Sequence, residues 1–252
     1  MEYLLPKEKS KPSKNLSDYS ILLYGEEKIG KTSFAAQFPD AMFLMCEPGS
    51  KALEIYGQSV NSWVDLKGYL KVLAKDTRFK TIVIDTVDVA AVLCEKYCAA
   101  KLGVEDVQDA EYGKGWRKLK AEMGQWLTFA GNMGKGIVYI SHSTEKEIKN
   151  RSGDSRHRIV PTMDKRAAEI MEAYVDIWAY YKYEEDGSRT IQIRGTENVA
   201  AGVRTPKNFI GITEIPGGKS EKEAYDNFVA AFENRLSLEK PKLKLKMKTG
   251  GK

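Results

Sequence analysis

The sequence predicts an α/β fold in which helices cover both faces of a mostly parallel central sheet. Four short apolar runs recur within the first 141 residues, and stretches with helical spacing of apolar residues separate them. The runs are continuously apolar and do not alternate with polar residues, as is typical of strands that are buried on both faces. A chain of 252 residues is long enough for one such domain with short appendages.

Strands and helices alternate in the order that a parallel sheet requires, because each crossover between parallel strands needs a connection such as a helix. We predict strands over residues 20–24, 41–46, 81–85 and 136–141 and helices over residues 31–37, 62–74, 86–102 and 115–130. Pro39 follows the first helix, and a proline disfavours helical conformation in the residue before it. The first 141 residues therefore form the parallel part of the fold.

After residue 141 the pattern changes from simple alternation. A helix is predicted near residues 163–173, and residues 175–183 and 190–194 form two alternating segments. The Asp-Gly pair in the connection at 184–187 is a hairpin turn signal. We therefore predict a C-terminal β-hairpin extension, followed by a last helix over residues 221–236.

Both ends of the chain are polar. Residues 1–18 are rich in lysine and contain two prolines, which predicts a flexible N-terminal arm before a core at residues 19–237. Residues 238–252 read as a basic disordered tail. The last fourteen residues hold six lysines and one glutamate, which equals the net charge of +5, so the rest of the chain is neutral. A neutral core argues against a basic DNA-coating domain, and the tail either contacts an anionic polymer or only aids solubility.

Composition also excludes several classes of protein. No run of about 18 apolar residues occurs, so we expect no membrane partner. The N-terminus lacks the apolar core of a signal peptide. Three cysteines are too few for a disulfide framework. We therefore expect a cytoplasmic protein.

Residues 25–32 match the pattern G-x-x-x-x-G-K-[ST] between a predicted strand and a predicted helix. Glycines let the backbone wrap so that its N–H groups point at phosphate oxygens. The lysine reaches the β- and γ-phosphates, and the threonine hydroxyl binds Mg²⁺, whereas a plain turn would need neither residue. The nucleotide-binding residues are expected to be Gly25, Glu26, Glu27, Lys28, Ile29, Gly30, Lys31, Thr32 and Ser33, with Lys31 also catalytic and Thr32 also a metal ligand.

Three further polar residues follow predicted strands, where open α/β sheets bind their ligands. Asp85 would hold Mg²⁺ if its strand lay beside the strand before the glycine loop, although it also suits a helix cap. Glu47 would orient and deprotonate an attacking water, unless it is a loop carboxylate without a role. His142 would donate a hydrogen bond to the γ-phosphate and report hydrolysis, unless it is structural.

In their order along the chain these elements resemble the RecA-like branch of P-loop ATPases, and more closely the phage-encoded RecA-core proteins. The latter are known as AAA-type nucleotide-binding proteins or ATP-dependent single-strand annealing recombinases. The resemblance spans about residues 18–212. Beyond the glycine loop and Asp85, the residues that carry it are LLYG at 22–25, FAAQFP at 34–39, FLMCE at 43–47, YGKGW at 112–116 and SH at 141–142.

The resemblance implies a RecA-like core, ATP and Mg²⁺ as cofactors, and assembly into a ring or filament. It implies single-stranded DNA as the partner, with a single-strand-binding protein as a further one, in a bacterial host cell. Relatives in this branch place a Lys-x-Arg finger on the neighbouring subunit's nucleotide. Residues 201–204 keep only the arginine, so Arg204 is the candidate for that catalytic role.

Residues 146–158 carry five Lys or Arg residues against two acids and directly follow the sensor position. The RecA branch keeps its DNA-binding loop here, and a mobile basic loop can track phosphates without reading bases. A solvated charged loop would have the same composition. The residues expected to bind DNA are Lys149, Arg151, Arg156 and Arg158.

The sequence thus predicts a DNA-dependent, Mg²⁺-dependent ATPase that acts on single-stranded DNA in phage recombination, by annealing or strand pairing. One alternative is a nucleotide-gated mediator or scaffold without strong ATPase activity. Another is a P-loop kinase for a small acceptor, in which the arginine-rich segment would close as a lid.

Overall fold

The computed structural model describes residues 7–49, 51–149 and 155–237, and these contain ten strands and six α-helices. The strands are β1 (Ser20–Gly25), β2 (Ala41–Met45), β3 (Tyr56–Ser59), β4 (Thr81–Asp85), β5 (Gly136–Lys149), β6 (Ser155–Pro161), β7 (Ile177–Tyr183), β8 (Arg189–Gln192), β9 (Gly202–Val203) and β10 (Glu214–Pro216). The helices are α1 (Lys31–Ala35), α2 (Trp63–Leu73), α3 (Val87–Leu102), α4 (Lys114–Gly131), α5 (Lys165–Tyr174) and α6 (Glu221–Phe232).

The main sheet has the strand order β10-β8-β7-β1-β5-β4-β2-β3, with parallel pairing from β7 through to β3. This confirms the predicted α/β fold with a mostly parallel central sheet. The predicted hairpin also forms, as β7 and β8. Its first strand pairs in parallel with β1, with Ile177 opposite Ile21, so the hairpin is continuous with the central sheet. The short strands β3, β9 and β10 were not predicted, because two to four residues leave no readable period.

The position of β4 differs from the expectation that the strand of Asp85 would lie beside β1. Strand β5 lies between them, with Gly25 of β1 opposite His142 and Ile140 of β5 opposite Asp85. Sequence order does not fix the order of strands in a parallel sheet, because every crossover can pass to either side. The carboxyl ends of β1, β4 and β2 nevertheless meet at one edge, where His142 of β5 also lies.

Helices cover both faces of the sheet, and each face has its own apolar core. Leu22 and Tyr139 face the core shared with α2, α3, α4 and α5. Ile21 and Val138 point the other way and pack with α1 and α6 around Phe228. Fully burying one such side chain contributes about 1.5–3 kcal/mol, so the two cores hold the strand ends in a fixed arrangement.

Residues 146–149 and 155–158, the described parts of the predicted mobile loop, are strands instead. Strand β5 continues past Ser141 and pairs with β6 as an antiparallel hairpin, from Ser143 opposite Pro161 to Lys149 opposite Ser155. The backbone pairing between the two strands satisfies their N–H and C=O groups, so a strongly charged segment can still form regular structure. Residues 150–154, including Arg151, lie outside the described residues.

The end of the predicted N-terminal arm is packed against the domain. Leu16 is buried in a short 3₁₀ turn at Leu16–Asp18, and the Tyr19 hydroxyl donates to the Ser13 carbonyl oxygen over 2.9 Å. The predicted flexible arm therefore ends before residue 16, because burial of Leu16 holds this polar segment against the core. Residues 1–6 and the predicted tail at 238–252 lie outside the described residues.

Candidate nucleotide-binding site

The glycine-rich segment joins β1 to α1 at the edge where the strand ends meet. Gly25 passes very close to β7, since a Cβ atom there would lie 2.2 Å from the carbonyl oxygen of Tyr181. Gly30 has a φ of +105°, a left-handed conformation that side chains disfavour. The backbone path thus requires glycine at both positions of the pattern. An ordinary turn would accept other residues there.

Lys31 reaches back over the loop that precedes it. Its Nζ donates to the carbonyl oxygens of Gly25 at 2.8 Å and Glu26 at 2.7 Å, and the residue is 5% exposed. Burial lowers the pKa of the Lys31 ammonium, while the carboxylates of Asp85 and Asp88 oppose that shift. A charge held in such a dry position acts strongly on a bound anion, because little water screens it.

Thr32 and Asp85 form the second part of the site. The Thr32 hydroxyl donates to Oδ2 of Asp85 over 2.8 Å, which joins the first turn of α1 to the end of β4. Burial raises the pKa of the Asp85 carboxyl, and the Thr32 hydrogen bond acts in the opposite direction. The two residues expected to hold the metal thus lie together although β4 is not the neighbour of β1.

This donor set fits Mg²⁺. A hydroxyl and a carboxylate are oxygen ligands, and Mg²⁺ is commonly held by one or two protein ligands together with phosphate oxygens and water. Within the described ranges, no group of three or more His, Cys, Asp or Glu residues could hold a metal by itself. The side chains of Thr32 and Asp85 therefore suit a magnesium ion that arrives with a nucleotide.

Glu47 and His142 face each other across the same site. His142 Nε2 lies 3.1 Å from Glu47 Oε1, and its Nδ1 lies 3.5 Å from the Lys31 Nζ. An ammonium group has only donors, so Nδ1 is the acceptor and Nε2 carries the proton that is donated to Glu47. The side chains of both residues are about one-third exposed, at 32% for Glu47 and 29% for His142, so they border the open side of the site.

Asp88 is part of this arrangement and was not anticipated from the sequence. Its Oδ1 accepts from the Ser141 hydroxyl at 2.7 Å, and its Oδ2 accepts from the His142 backbone N–H at 2.9 Å. Burial raises the pKa of the Asp88 carboxyl, and these hydrogen bonds oppose the rise. Asp88 therefore fixes β5 at Ser141 and His142, where the strand passes the nucleotide site. Its place in the first turn of α3, three residues after Asp85, was the available signal.

A second unanticipated contact supports the glycine-rich segment from behind. Arg189 Nη1 donates to the Ile29 carbonyl oxygen at 3.2 Å and to Glu221 Oε1 at 2.9 Å. The arginine comes from β8 and the glutamate from the start of α6. No local pattern could reveal this contact, because 160 residues separate Arg189 from Ile29.

Arg204 is not brought to this site within one chain. Its backbone N–H donates to the Asp176 carbonyl oxygen at 2.9 Å, and its Nη2 donates to that of Glu172 at 2.7 Å. Asp176 precedes β7, so Arg204 lies near the amino ends of the parallel strands, at the opposite edge of the sheet.

Three of the four residues expected to bind DNA belong to β5 and β6, and the fourth, Arg151, lies outside the described residues. Lys149 is the last residue of β5, and Arg156 and Arg158 are on β6. Arg156 Nη1 is 3.9 Å from Glu197 Oε2, which is a loose ion pair. The pairing of β5 with β6 begins directly after His142, so Lys146 and Lys149 lie on the same strand as the sensor position.

The glycine-rich segment, its lysine and the hydroxyl–carboxylate pair at the carboxyl edge of a parallel sheet define the class, a P-loop nucleotide-binding protein with an α/β fold. The family model of an AAA domain matches residues 17–205, which is more than half of the chain. The protein therefore belongs to this AAA domain family.

Two individual proteins are similar to the chain. The SPbeta prophage-derived uncharacterized protein YorG of Bacillus subtilis (strain 168) is 27% identical over 161 residues. That alignment covers 61% of this chain and 47% of YorG, so the chain spans about half the length of that relative. The crystal structure of KaiC-like protein PH0186 from Pyrococcus horikoshii OT3 has a TM-score of 0.49 and 16% identity, and covers 82% of this chain and 88% of that one.

Among the helices in the described residues, none is long and apolar enough to cross a membrane.

Proposed function

We propose that the protein binds ATP with Mg²⁺, hydrolyses it, and acts on single-stranded DNA in phage recombination, by annealing or strand pairing. One observation carries the hydrolysis: His142 bridges Lys31 and Glu47 at the edge where Thr32 meets Asp85. Lys31, which would bind the phosphate, and Glu47, which would activate water, thus both contact the His142 ring. The similarity to a prophage-derived protein supports the phage setting, in the cytoplasm of a bacterial host.

In this proposal each side chain has one task. The Lys31 ammonium stabilises the charge that develops on the γ-phosphate. Mg²⁺, held through Thr32 and Asp85, would neutralise charge on the β- and γ-phosphates. Glu47 orients the attacking water and accepts its proton, and the His142 Nε2–H holds the Glu47 carboxylate in place until then.

The hairpin supplies the contact with DNA. Arg156 and Arg158 present positive charge beside the strand that carries His142, and phosphate contacts of this kind need no base sequence. The backbone N–H of Thr162, at the base of the hairpin, donates to the His142 carbonyl oxygen at 3.0 Å. A shift of the hairpin on DNA would therefore reach the histidine directly.

Arg204 is proposed to act on a neighbouring copy. Its position at the opposite edge of the sheet leaves no route to its own Lys31, whereas head-to-tail packing of copies would bring the two edges together. A ring or filament provides such packing, because heterologous interfaces either close or extend. A single-strand-binding protein remains a proposed further partner.

A pocket next to Glu47 favours a second candidate, a kinase for a small acceptor. Its volume is about 400 Å³, and Pro48, Ile55 and Asn61 are among the residues that line it. Glu47 would then take a proton from the acceptor's hydroxyl instead of from water. A nucleotide-gated scaffold without turnover is the other alternative.

The test is ATP turnover with Mg²⁺, with and without single-stranded DNA, in the wild-type protein, Lys31→Ala and the control Lys71→Ala. Lys71 is an exposed lysine on α2. We expect phosphate release that DNA stimulates in the wild-type protein and the control, and its loss in Lys31→Ala. Wild-type-like turnover in Lys31→Ala would refute the assignment. Transfer of phosphate to an added small alcohol would indicate the kinase, and ATP binding without turnover would indicate the scaffold.

A further inference from the structure

Arg189 and Glu221 pack directly against the second glycine of the phosphate-binding loop. A Cβ atom at Gly30 would lie 3.0 Å from Arg189 Nη1 and 3.2 Å from Glu221 Oε1. These two atoms are 2.9 Å apart, and the side chains of Arg189 and Glu221 are 17% and 34% exposed. The ion pair is therefore largely shielded from water and fills the space that a side chain at Gly30 would need.

The Arg189 side chain is held by several elements. Its guanidinium carbon lies 5.8 Å from the centroid of the Tyr181 ring, which is fully buried. Its backbone pairs with Tyr183 of β7, and its carbonyl oxygen accepts from the Gly217 N–H at 2.6 Å, directly after β10. Because the side chain is already fixed in this way, it loses little conformational freedom when it makes one more contact.

That further contact is the hydrogen bond from Arg189 Nη1 to the Ile29 carbonyl oxygen, at 3.2 Å. The peptide bond between Ile29 and Gly30 is trans, so its N–H and its C=O point in opposite directions. Since the carbonyl oxygen is turned toward Arg189, the Gly30 N–H is turned toward the other side of the loop. In loops of this kind the backbone N–H groups bind phosphate oxygens.

This peptide bond needs an external contact to keep its orientation. The φ of Gly30 is +105°, and glycine enters such conformations about as readily as those of negative φ. Reversal of the peptide plane would place the Ile29 carbonyl oxygen where a donor is required, and that oxygen would repel phosphate. The buried Ile29 side chain anchors only one end of the plane.

We propose that Arg189 is a positioning residue for nucleotide binding. It holds the peptide between Ile29 and Gly30 so that the Gly30 N–H faces the phosphates, and Glu221 holds the arginine in turn. The inference rests on the proposed binding of ATP and adds β8 and the start of α6 to the support of that site. Because Glu221 neutralises its charge, Arg189 acts through the orientation of the peptide and not as a second phosphate-binding cation.

The first test is the affinity of the full chain for ADP and for pyrophosphate, each with Mg²⁺, measured by calorimetry. The variants are Arg189→Met, the conservative Arg189→Lys, and Glu221→Gln, which keeps an acceptor for the arginine. Arg235→Met is the matched control, because Arg235 also pairs with a glutamate, Glu233, but at the far end of α6. Thermal melting of each variant would confirm that it folds.

The second test reads the Gly30 amide directly by NMR. The chain contains two Ile-Gly pairs, at 29–30 and 210–211. Labelling isoleucine with ¹³C at the carbonyl and glycine with ¹⁵N therefore leaves two cross-peaks in a spectrum that links each carbonyl carbon to the following amide. The pair at 210–211 is the internal control for an intact fold.

We expect Arg189→Met to weaken the binding of ADP and of pyrophosphate by about tenfold to a hundredfold, as the loss of one hydrogen bond to a charged group does. The KM for ATP should rise with a nearly unchanged kcat, because the contact is the same in the ground state and the transition state. Arg189→Lys keeps a cationic donor and should lose less affinity. Glu221→Gln and Arg235→Met should bind almost as the wild-type protein does.

In the wild-type protein the Gly30 amide proton should move downfield when either ligand binds, because a hydrogen bond to phosphate deshields it. In Arg189→Met most of that movement should disappear, while the signal from the pair at 210–211 stays in place.

Wild-type affinity in Arg189→Met would overturn the inference and leave ATP binding standing. Weaker binding with an unchanged movement of the Gly30 signal would also overturn it, because the arginine would then act elsewhere. Tighter binding in Glu221→Gln would show that Arg189 acts as a cation instead. If the wild-type protein binds neither ADP nor pyrophosphate, the proposed function fails, and the inference fails with it.

Discussion

The Tyr24 hydroxyl donates a hydrogen bond of 2.6 Å to the carbonyl oxygen of Ala200. Tyr24 is the residue before Gly25, and Ala200 follows Val199, which forms a bridge with Ile159 of β6. Burial raises the pKa of the Tyr24 phenol, so the group remains a donor at every physiological pH. The bond therefore connects the start of the phosphate-binding loop to the segment that lies beside β6.

Removing the Tyr24 hydroxyl should abolish the stimulation of ATP turnover by DNA and leave basal turnover intact. Tyr24→Phe keeps the ring and its packing against Tyr180, where the ring centroids are 5.0 Å apart. We expect basal ATP turnover close to the wild-type rate and loss of most of the stimulation by single-stranded DNA. Tyr180→Phe is the matched control and should keep the stimulation. Full stimulation in Tyr24→Phe would show that the signal travels by another route.

Glu47 should affect chemistry and spare binding. Glu47→Gln keeps the size of the side chain and a hydrogen bond to His142, but an amide cannot accept a proton from water. We expect kcat to fall by about 10²–10⁴, the usual range for a general base, with nearly unchanged nucleotide affinity. Glu105→Gln, at an exposed position before α4, is the control. If nucleotide affinity falls together with kcat, Glu47 has a structural role instead.

If Arg204 acts on the nucleotide of a neighbouring copy, two inactive variants should restore each other's activity. Mixed oligomers of Arg204→Ala and Lys31→Ala contain interfaces in which an intact Lys31 meets an intact Arg204. We expect each variant alone to be inactive and the mixture to recover part of the turnover, because an arginine supplied in trans stabilises the transition state. The measurement is turnover across mixing ratios in oligomers verified by mass. No recovery in such oligomers would exclude the trans role.

Asp85 should lower stability at neutral pH while serving the metal site. Its pKa in the folded protein is raised above the ordinary value of 3.8, so folding takes up a proton in the window between the two values. Stability from this group is therefore present below pH 3.8 and is lost as the pH rises through the raised pKa.

In the Asp85→Asn variant the side chain is neutral at every pH, so the loss of folding stability at higher pH does not occur. The nucleotide-free variant should thus have a higher Tm than the wild-type protein at pH 7, and the difference should shrink as the pH falls through the window. ATP turnover with Mg²⁺ should be lost at the same time. A lower Tm at pH 7 would indicate that the charge of Asp85 stabilises the fold by its interaction with Lys31.

Much of the nucleotide site could be predicted because its signals are local. Gly25, Gly30, Lys31 and Thr32 act through one continuous backbone path, so their spacing along the chain defines the geometry. Glu47, Asp85 and His142 could be placed because each directly follows an apolar run. The carboxyl ends of parallel strands meet at one edge of the sheet, whatever the order of the strands.

The parallel sheet and the β7–β8 hairpin were predictable for a similar reason. Continuous apolar runs indicate strands that are buried on both faces, and Asp186-Gly187 indicates a tight turn. Each of these signals spans only a few residues. Composition was a poorer guide at 146–158 and at Leu16, because charge and polarity do not report whether a segment pairs or packs with something distant.

The sequence by itself determined the fold class, the glycine-rich phosphate loop and the residues at the strand ends. Only the tertiary structure decided that β5 separates β1 from β4, that Asp88 holds His142, and that Arg189 supports Ile29. It also decided that residues 143–149 and 155–161 pair as antiparallel strands. The physical reason is that these contacts join residues tens to hundreds of positions apart, and packing selects them from many arrangements that the same local patterns allow.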